Sequence, residues 1–500
     1  MKKSLFLALI VVIMAFVFTS CTSVQTNGSN DLVIPPEIFN FSVGDYYEGV
    51  LNIGYADYNQ ALNLIEQING TVQKHVPQIQ AFSVTFPGTV EDARTALESV
   101  LNDNDQLKDA IRYIEPSFTR YLIEPVKNDE LMSGERIIPD LEEYNWGSRM
   151  VKAPEAWAEG FTGDGVVVAV VDTGVDMSHP DLINQCIGGY APFTDTILAP
   201  ATDNSQLAET HGTHVSGTIA AEKNSFGITG VAYNAKIINI RIFDADCANS
   251  YIGDMFVAAG LVWAVDQGAQ VTNNSWGGKG YSNTLLDAFN YGLKNNVIHV
   301  VSQGNGHVDA VTHPSAYPGM INVAASTATK GITNFSSRGQ WLTVAAPGDH
   351  SILSTVPLWD TGEFVFEQPY ALYGGTSMAS PHVTGVVALL IEKFEKATPA
   401  SSERATPYTP YQIRKIIELG AEDIMAPGFD IDSGWGLIQA DTSLDIDIST
   451  VEEGSDLVVT ASLDETEPIP GLYVTIKPRG FIAPEFYGKT NEEGVMEFLA

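Results

Sequence analysis

Three apolar runs, separated by helical patterns, constrain the fold of this chain more than any other feature. The runs are GVVVAVVD (165–172), KIINIRIF (236–243) and VIHVVSQGN (297–305), and GDMFVAAGLVWAVDQG (253–268) is one of the helical patterns between them. Continuous apolar runs of this length are typical of strands that are buried on both faces. Their alternation with helices predicts an α/β fold with a doubly wound, mainly parallel sheet, in which functional residues gather at the carboxyl ends of the strands.

A small α+β unit is predicted before this region, over residues 46–126. Its helical patterns are NQALNLIEQIN (59–69) and TVEDARTALESVL (89–101), and its strand patterns are IQAFSVTFP (79–87) and IRYIEP (111–116). The segment that follows, residues 127–142, is charged and rich in structure-breaking residues, so we interpret it as a linker.

The α/β region is predicted to span residues 143–445, and strand patterns follow it. Residues 446–500 contain LVVTASL, GLYVTIKP and GVMEFLA, which predict β-strands of a further domain. About fifty residues are short for a β-sandwich, which needs about a hundred. We therefore expect the start of a β-sandwich-like domain here, cut short in this sequence.

The N-terminus has the pattern of a lipoprotein signal peptide, residues 1–21. Two lysines precede LFLALIVVIMAFVF (5–18), which is too short for a comfortable membrane span, and TSC (19–21) follows at once. This end resembles the lipobox of bacterial lipoproteins, which predicts a lipid on Cys21, a tether over residues 22–45 and a precursor held at the membrane of a bacterial cell envelope. Phe18 departs from that box, so a plain secretory peptide stays open. In both cases the chain leaves the cytoplasm.

Charge and cysteine content limit the partners of the chain. Its 61 acidic and 26 basic residues give a formal net charge of −35, which makes nucleic acid a poor partner. Apart from Cys21, the chain contains Cys186 and Cys247. They predict either one disulfide or two free buried thiols, and the sequence does not decide between these.

Three short motifs contain the residue types of nucleophilic catalysis. The strand at 165–172 ends in Asp172, HGTHVSG begins with His211, and YGGTSMASPHVTG (373–385) places Ser377 at the mouth of a helix among small residues. A serine hydroxyl is a weak nucleophile at neutral pH, so it needs a base within hydrogen-bond reach and a carboxylate that orients the base. The amides at the N-terminus of the helix also favour a developing oxyanion.

These motifs, in the order Asp, His, Ser, resemble those of the subtilisin-like serine proteases, the subtilases. The resemblance covers residues 143–445 and implies a secreted serine endopeptidase that acts on proteins or peptides through an acyl-enzyme. It implies that Asp172 orients the base, that His211 is the general base and acid, and that Ser377 is the nucleophile. His214 would be a structural neighbour, since a zinc site at the two histidines lacks a third ligand cluster.

Two further motifs extend the resemblance to oxyanion and substrate binding. SQGNG (302–306) is similar to the family's oxyanion stretch, which implies that Asn305 donates its side-chain amide. NNSWGG (273–278) is similar to the family's substrate edge, whose backbone pairs with an extended peptide. The substrate residues so implied are Ser275, Trp276, Gly277 and Gly278. From the residues alone, Asn305 could also form a turn, and Trp276 could belong to the core.

The resemblance also implies a structural calcium ion as cofactor. Asp181 matches a family ligand, and EKNSFGI (222–228) matches the family's calcium loop. Asn224 would contribute its side chain, and backbone carbonyls would come from Glu222, Phe226 and Ile228, since calcium prefers several oxygen ligands. The alternative is that Asp181 caps a helix and Asn224 forms a turn.

The unit at 46–126 resembles the subtilase propeptide, a folding helper and inhibitor of ferredoxin-like fold. The likeness lies in IQAFSVTFP and IRYIEP, and it implies a zymogen whose own propeptide is an intramolecular inhibitor. The linker at 127–142 would then hold the maturation site, with a product that begins between about residues 126 and 145.

An alternative from another class is an inactive subtilase fold that serves as a surface-binding or adhesion module. The intact motifs argue against it. A lipase or esterase of the α/β-hydrolase type fails because the residues around Ser377 read GTSMA and not G-x-S-x-G.

Overall fold

The computed structural model describes most of the chain between residues 38 and 451. The described residues are 38–39, 45–102, 104–123, 126–127, 141–202, 210–244, 251–307, 312–357, 369–397 and 407–451, with short strands between 457 and 498. The predicted signal peptide with Cys21, most of the tether and linker, and Cys247 lie outside these residues. Within the described part, no helix is long and apolar enough to cross a membrane.

Helices and strands follow one another along most of the described chain. The α-helices are α1 Tyr58–Gln67, α2 Val90–Asn102, α3 Asp105–Ala110, α4 Trp146–Met150, α5 Ala153–Ala158, α6 His211–Ala220, α7 Asp254–Asp266, α8 Asn283–Lys294, α9 Thr376–Ala397, α10 Pro410–Gly420 and α11 Ala440–Asp445. The strands are β1 Tyr46–Tyr55, β2 Thr71–Val76, β3 Ala81–Thr85, β4 Ile111–Phe118, β5 Tyr121–Leu122, β6 Val126–Lys127, β7 Val167–Asp172, β8 Cys186–Ala191, β9 Thr196–Leu198, β10 Lys236–Arg241, β11 Val271–Asn274, β12 Trp276–Gly277, β13 Ile298–Ser302, β14 Ile321–Ser326, β15 Val344–Pro347, β16 Ile352–Thr355, β17 Tyr370–Gly374, β18 Leu457–Thr460, β19 Ser462–Leu463, β20 Glu467–Pro468, β21 Tyr473–Ile476, β22 Phe486–Lys489 and β23 Val495–Phe498.

Residues 45–123 form the N-terminal unit, which is built on a four-stranded antiparallel sheet. The sheet has the order β2-β3-β1-β4, and the elements follow one another as β1, α1, β2, β3, α2, α3 and β4. This is the split βαβ arrangement of ferredoxin-like folds with one extra short helix, in agreement with the prediction. Leu51, Leu64 and Leu97, from β1, α1 and α2, are fully buried in its core.

Residues 141–451 form the α/β domain, which is built on one eight-stranded sheet. The order is β15-β14-β13-β11-β7-β10-β8-β9, and all neighbouring pairs are parallel except β8 with β9. Val168 and Val170 of β7 enter a core that includes side chains of α6 and α9. Ala169 and Val171 enter a second core with α7 and α8. Helices thus cover both faces, which confirms the predicted doubly wound, mainly parallel sheet.

The strands beyond residue 456 form three antiparallel pairs. β18 pairs with β23, β19 pairs with β20, and β21 pairs with β22. These pairings agree with the β-rich character predicted for residues 446–500. The β-sandwich-like arrangement of that segment stays a prediction.

A carboxylate of the N-terminal unit caps a helix of the α/β domain. Glu115, on β4, is fully buried, and its two oxygens accept hydrogen bonds at the start of α8. The donors are the N–H groups of Asn283 and Thr284, both at 2.9 Å, and the side chains of Ser282, Asn283 and Thr284, at 3.0, 3.0 and 2.8 Å. The position is favourable because the first N–H groups of a helix have no partner within it and form the positive end of its dipole.

We predict that Glu115→Ala loosens the contact between the N-terminal unit and α8. Five donors lose a buried charged acceptor, and one such hydrogen bond contributes about 1.5–3 kcal/mol. Amide hydrogen exchange at residues 283–285, followed by mass spectrometry, should accelerate by about tenfold or more. Glu91→Ala, which changes an exposed residue of α2, is the matched control and should leave that exchange unchanged. Equal exchange in both variants would show that the cap does not hold the two parts together.

Candidate active site

Asp172 and His211 lie side by side at the carboxyl end of the central strand. Asp172 is the last residue of β7, and His211 is the first residue of α6. Nδ1 of His211 lies 2.8 Å from one carboxylate oxygen of Asp172 and 3.0 Å from the other. The N–H of Thr173 donates to the same carboxylate at 2.7 Å. The imidazole is therefore held by one nitrogen, which leaves the other for chemistry.

Close packing at Gly212 makes this pair possible. A Cβ atom on Gly212 would lie 2.3 Å from the carbonyl oxygen of Gly174 and 3.2 Å from Cβ of Asp172. No side chain fits there, which explains the glycine after His211 in HGTHVSG. The N–H of Gly212 also donates to Oγ1 of Thr173 at 3.0 Å, which ties the start of α6 to the end of β7.

Ser377 is the second residue of α9 and is fully buried. Its hydroxyl donates to the carbonyl oxygen of Ile123 at 2.9 Å and lies 3.3 Å from the carbonyl oxygen of Ser275. Nε2 of His211 is also buried and has no hydrogen-bond partner among the described residues. The serine hydroxyl is thus directed at a carbonyl group of the N-terminal unit, and the imidazole has a nitrogen available to accept a proton.

A proline inside α9 makes one helix carbonyl available to the loop after β11. Pro381 has no N–H, so the carbonyl oxygen of Ser377, four residues earlier, receives no hydrogen bond from it. Oγ of Ser275 donates to that carbonyl at 3.2 Å and lies 2.8 Å from Oγ of Ser380. Small side chains at these positions therefore bring the predicted substrate loop against the start of the helix.

Asn305 follows β13 and faces the start of α9. Its Oδ1 accepts hydrogen bonds from the N–H of Thr376 at 2.9 Å and from Oγ1 of Thr376 at 3.0 Å. These two donors fix which end of the amide is the oxygen. The NH2 group lies on the other side, where a Cβ atom on Gly375 would come within 3.0 Å of it. The amide is therefore oriented as a donor beside the N-terminus of α9.

Two short strands, β5 at the end of the N-terminal unit and β6 just after it, add to strands of the α/β domain at this site. β5 pairs antiparallel with β12, and β6 pairs antiparallel with β17. In the first pairing, Leu122 lies opposite Trp276 and Tyr121 lies opposite Gly277. Ile123, whose carbonyl contacts Ser377, lies between the two pairings. The chain around Ile123 therefore occupies the position of a peptide bound by strand addition.

The backbone of the predicted substrate edge forms the pairing with β5, whereas the indole ring of Trp276 faces the core. The ring is fully buried, with centres 6.3 Å from Tyr251 and 6.4 Å from Phe289. Gly278 continues the edge by exchanging two backbone hydrogen bonds with His313, at 2.9 and 2.8 Å. Of the two interpretations of Trp276, the structure places its side chain in the core.

His214 is held by backbone carbonyls. Its Nε2 lies 3.1 Å from the carbonyl oxygen of Ile352 and 3.2 Å from that of Ala371, and its ring stacks on Tyr373. Burial, with a smaller contribution from His211, lowers the pKa of His214 to about 3. Within the described residues, no group of three or more His, Cys, Asp and Glu side chains is placed to hold a metal ion. His214 therefore ties α6 to strands β16 and β17.

The residues predicted to hold calcium lie together in one loop cluster. The carboxylate of Asp181 accepts from Nδ2 of Asn224 at 2.7 Å, from the hydroxyl of Tyr370 at 2.7 Å and from the N–H of Ile228 at 3.2 Å. The N–H of Glu222 donates to the carbonyl of Asp181, and the N–H of Phe226 donates to Oδ1 of Asn224, both at 2.9 Å. Burial raises the pKa of Asp181 to about 6 despite these donors. The ionised carboxylate therefore lacks a counter-charge of matching strength.

One feature of the site, the occupation of its cleft, was not foreseen from the sequence. The cleft contains Ile123 and its neighbours, and the signal that could have indicated this is TRYLIEPV (119–126), an extended-type stretch directly after β4. Cys186 is a buried free thiol, whose pKa is raised by burial, so it is unreactive. Cys247 lies outside the described residues.

Comparison with known families identifies both parts. The model of the subtilase family, peptidase S8, matches residues 163–436. The model of the fervidolysin N-terminal prodomain matches residues 39–117. The N-terminal unit is therefore a prodomain, and the α/β domain is a serine endopeptidase domain.

Individual relatives agree with the family models. Fervidolysin from Fervidobacterium pennivorans is 38% identical over 543 residues, which cover 100% of this chain and 74% of that protein. Its crystal structure, described as that of a keratinolytic enzyme related to subtilisin, matches with a TM-score of 0.78 over 92% of this chain and 70% of that one. A probable subtilase-type serine protease of Deinococcus radiodurans is 32% identical over 82% of this chain and 58% of its own length. Subtilisin E of Bacillus subtilis is 36% identical over 50% of this chain and 61% of its own.

We predict that acid destabilises the protein in part through His214. Below about pH 6.5 the unfolded chain binds a proton at this histidine, whereas the folded protein, with a pKa of about 3, does not. Stability is therefore lost as the pH falls through 6.5, by about 2 kcal/mol at about pH 5. The thermal midpoint, measured with a serine-protease inhibitor present, should fall less between about pH 7.5 and pH 5 in His214→Gln than in the parent. His350→Gln changes an exposed histidine and should behave like the parent. The same fall in all three proteins would contradict the prediction.

Proposed function

Because the chain belongs to the subtilase family of serine proteases, we propose that it is a secreted endopeptidase that matures by cutting its own prodomain away. One observation carries this proposal. The hydroxyl of Ser377 donates to the carbonyl of Ile123, the last described residue of the prodomain before a short gap, and the same protease domain contains the hydrogen-bonded Asp172–His211 pair. The prodomain thus occupies the site both as inhibitor and as first substrate.

The chemistry follows from the positions of these groups. Oγ of Ser377 attacks the carbonyl carbon of the bound peptide, while Nε2 of His211 takes up the hydroxyl proton. Asp172 holds Nδ1 and stabilises the imidazolium that forms. The negative charge on the carbonyl oxygen is met by the Asn305 amide and the N-terminal amides of α9. His211 then gives its proton to the leaving amine, which departs as the acyl-enzyme ester forms, and water hydrolyses the ester by the same steps.

The first bond cut is proposed to be the one after Ile123. Ile123 directly follows the strand pairing of residues 121–122, and its carbonyl contacts Ser377, which is the placement that catalysis requires of a substrate. This bond lies upstream of the window predicted from the linker at 127–142. The composition of a linker indicates exposure, whereas cleavage by the chain's own serine requires contact with that serine.

A lipid on Cys21 is proposed for the precursor, from the lipobox-like sequence at the N-terminus. The lipid would lie on the prodomain side of the cut. Cleavage after Ile123 would therefore separate the protease domain from a membrane anchor and release it as a soluble enzyme.

Calcium is proposed to bind at Asp181. The support is that the carboxylate of Asp181, the side chain of Asn224 and the backbone of Ile228 lie together in one loop cluster, where burial raises the pKa of the carboxyl group. Calcium prefers several oxygen ligands, and the resemblance implies that the carbonyls of this loop supply the others. For its oxygen to bind the ion together with Asp181, the amide of Asn224 would have to turn and give up the hydrogen bond that it accepts from the N–H of Phe226. A bound calcium ion would supply the counter-charge that the ionised carboxylate lacks.

We predict that Ser377→Ala abolishes both peptide hydrolysis and prodomain removal. The parent should yield a mature chain that begins at Glu124, read by mass spectrometry of the intact protein. The variant should stay full-length and remain in the membrane fraction, and a Cys21→Ser precursor should not enter that fraction. A fluorophosphonate probe should label the parent and not the variant.

Three outcomes would change these proposals. Casein hydrolysis by a clean Ser377→Ala preparation would contradict the catalytic assignment. A parent product that begins within residues 126–145 would contradict cleavage after Ile123. Release of the Ser377→Ala chain at the parental rate would assign maturation to another protease and leave the active site in place.

We predict that Asn305→Leu lowers kcat far more than it changes KM, because the amide acts on the oxyanion of the transition state. The expected loss is roughly 10²–10³-fold, a range established on subtilisin itself and carried over to this chain. Steady-state kinetics on one peptide substrate measure both constants. An equal change in kcat and KM would contradict the oxyanion role.

We predict that calcium raises the thermal midpoint of the mature enzyme through Asp181. A ligand present at about 100 times its Kd stabilises the folded state by about 2.7 kcal/mol. Unfolding is followed in excess calcium and in excess chelator, with a serine-protease inhibitor present. Asp181→Asn should remove the difference, and Asp164→Asn, which changes an exposed carboxylate, should retain it. A midpoint that is equal with calcium and with chelator in the parent would refute the site.

A further inference from the structure

An arginine of the prodomain is completely buried against an aspartate of the protease domain. Arg120 and Asp254 are both fully buried. Nε of Arg120 donates to one carboxylate oxygen at 3.2 Å, and Nη2 donates to the other at 3.1 Å. Nη1 donates to the carbonyl of Gly280 at 2.6 Å. The guanidinium is therefore bound at both edges, in the bidentate geometry that an arginine and no other side chain provides.

The surroundings form a pocket shaped for this side chain. The hydroxyl of Tyr251 donates to Asp254 at 2.8 Å, which fixes the carboxylate. A Cβ atom on Gly278 would lie 3.2 Å from Cδ of Arg120, so the glycine provides space for the arginine stem. The carboxylate, the tyrosine and the two glycines belong to the protease domain and stay with the enzyme after the prodomain leaves. The prodomain itself adds Ser117, whose hydroxyl accepts from the N–H of Asp254 at 3.3 Å, and Phe118, whose ring centre lies 5.6 Å from the guanidinium.

The register of the bound chain indicates which residue of a substrate would reach this pocket. The carbonyl of Ile123 lies at Ser377, and Arg120 is three residues earlier. The arginine is therefore the fourth residue on the amino side of the bond to be cut. The β5–β12 pairing lies between the two points and fixes their separation. Any substrate that pairs with β12 in the same register brings its fourth residue to Asp254.

We propose that Asp254 is a specificity-determining residue, which selects substrates with arginine at the fourth position before the scissile bond. The proposal rests on the proposed function, in particular on cleavage after Ile123. Without arginine, a bound substrate would leave a buried carboxylate without its counter-charge. Docking of the prodomain does not by itself require this pair, because Glu115 at α8 and Arg112 with Asp287, at 2.8 Å, join the two domains elsewhere.

The test uses the mature enzyme and internally quenched peptides with the chain's own sequence TRYLIEPV, residues 119–126. One peptide has arginine at the fourth position before the bond, and a second has citrulline, which has the same shape without the charge. In a third peptide the arginine and the threonine are exchanged. It controls for general attraction of a positive charge to an acidic protein, since the full chain has a net charge of −35. We expect kcat/KM to be roughly 30-fold or more higher for the first peptide than for the other two.

Two variants locate the effect. Asp254→Asn should bring the ratio between arginine and citrulline peptides close to one. Asp287→Asn removes another carboxylate that contacts a prodomain arginine and should leave the ratio unchanged. If Asp254→Asn does not mature, the kcat/KM values of the three peptides with the parent enzyme still test the proposal. Equal kcat/KM for all three peptides would overturn the proposal while leaving the protease function intact. Failure of every peptide to be cut after isoleucine would instead contradict the proposed cleavage site.

Discussion

The active site depends on a close approach of two backbones at the end of β7. Parallel strands release their chain at one edge of the sheet, and β7 lies in the middle of eight strands, so its last residue, Asp172, is buried at the centre of that edge. α6 can begin beside it only because Gly212 has no side chain to meet Gly174. The Asp172–His211 hydrogen bond, the orientation of the imidazole and the binding of Thr173 to both elements all follow from that contact.

The prodomain uses the substrate cleft and two further contacts at the same time. β5 and β6 extend the sheet edges of the protease domain, Glu115 satisfies the start of α8, and Arg120 fills the pocket of Asp254. A substrate can use the cleft and, as proposed, the pocket of Asp254, but not the Glu115 cap. The proposed cleavage after Ile123 would therefore leave a product that is still held on the protease domain by the Glu115 cap.

The sequence predicted the parts of this structure that are encoded locally. β7, β10 and β13 were recognised because burial on both faces makes their sequences continuously apolar. β11 was missed because it reads VTNN, and the hydrogen bonds of its buried asparagines to Thr272, Ser275, Thr384 and a backbone carbonyl are not revealed by any apolar pattern. The pairs Arg120–Asp254, Glu115–Asn283 and Ile123–Ser377 join residues 134, 168 and 254 positions apart, so no motif could have indicated them.

Selection by Asp254 would also limit self-digestion. The protease domain, residues 141–451, contains five arginines, and three of them lie in helices or strands. Arg149 lies on α4, Arg241 ends β10, and Arg414 lies on α10, so none can enter an extended cleft without local unfolding. Arg120 differs because it precedes a short edge strand that already pairs with the cleft. A pocket that requires arginine at this distance from the scissile bond would thus favour a first cut in the prodomain over cuts next to these three arginines.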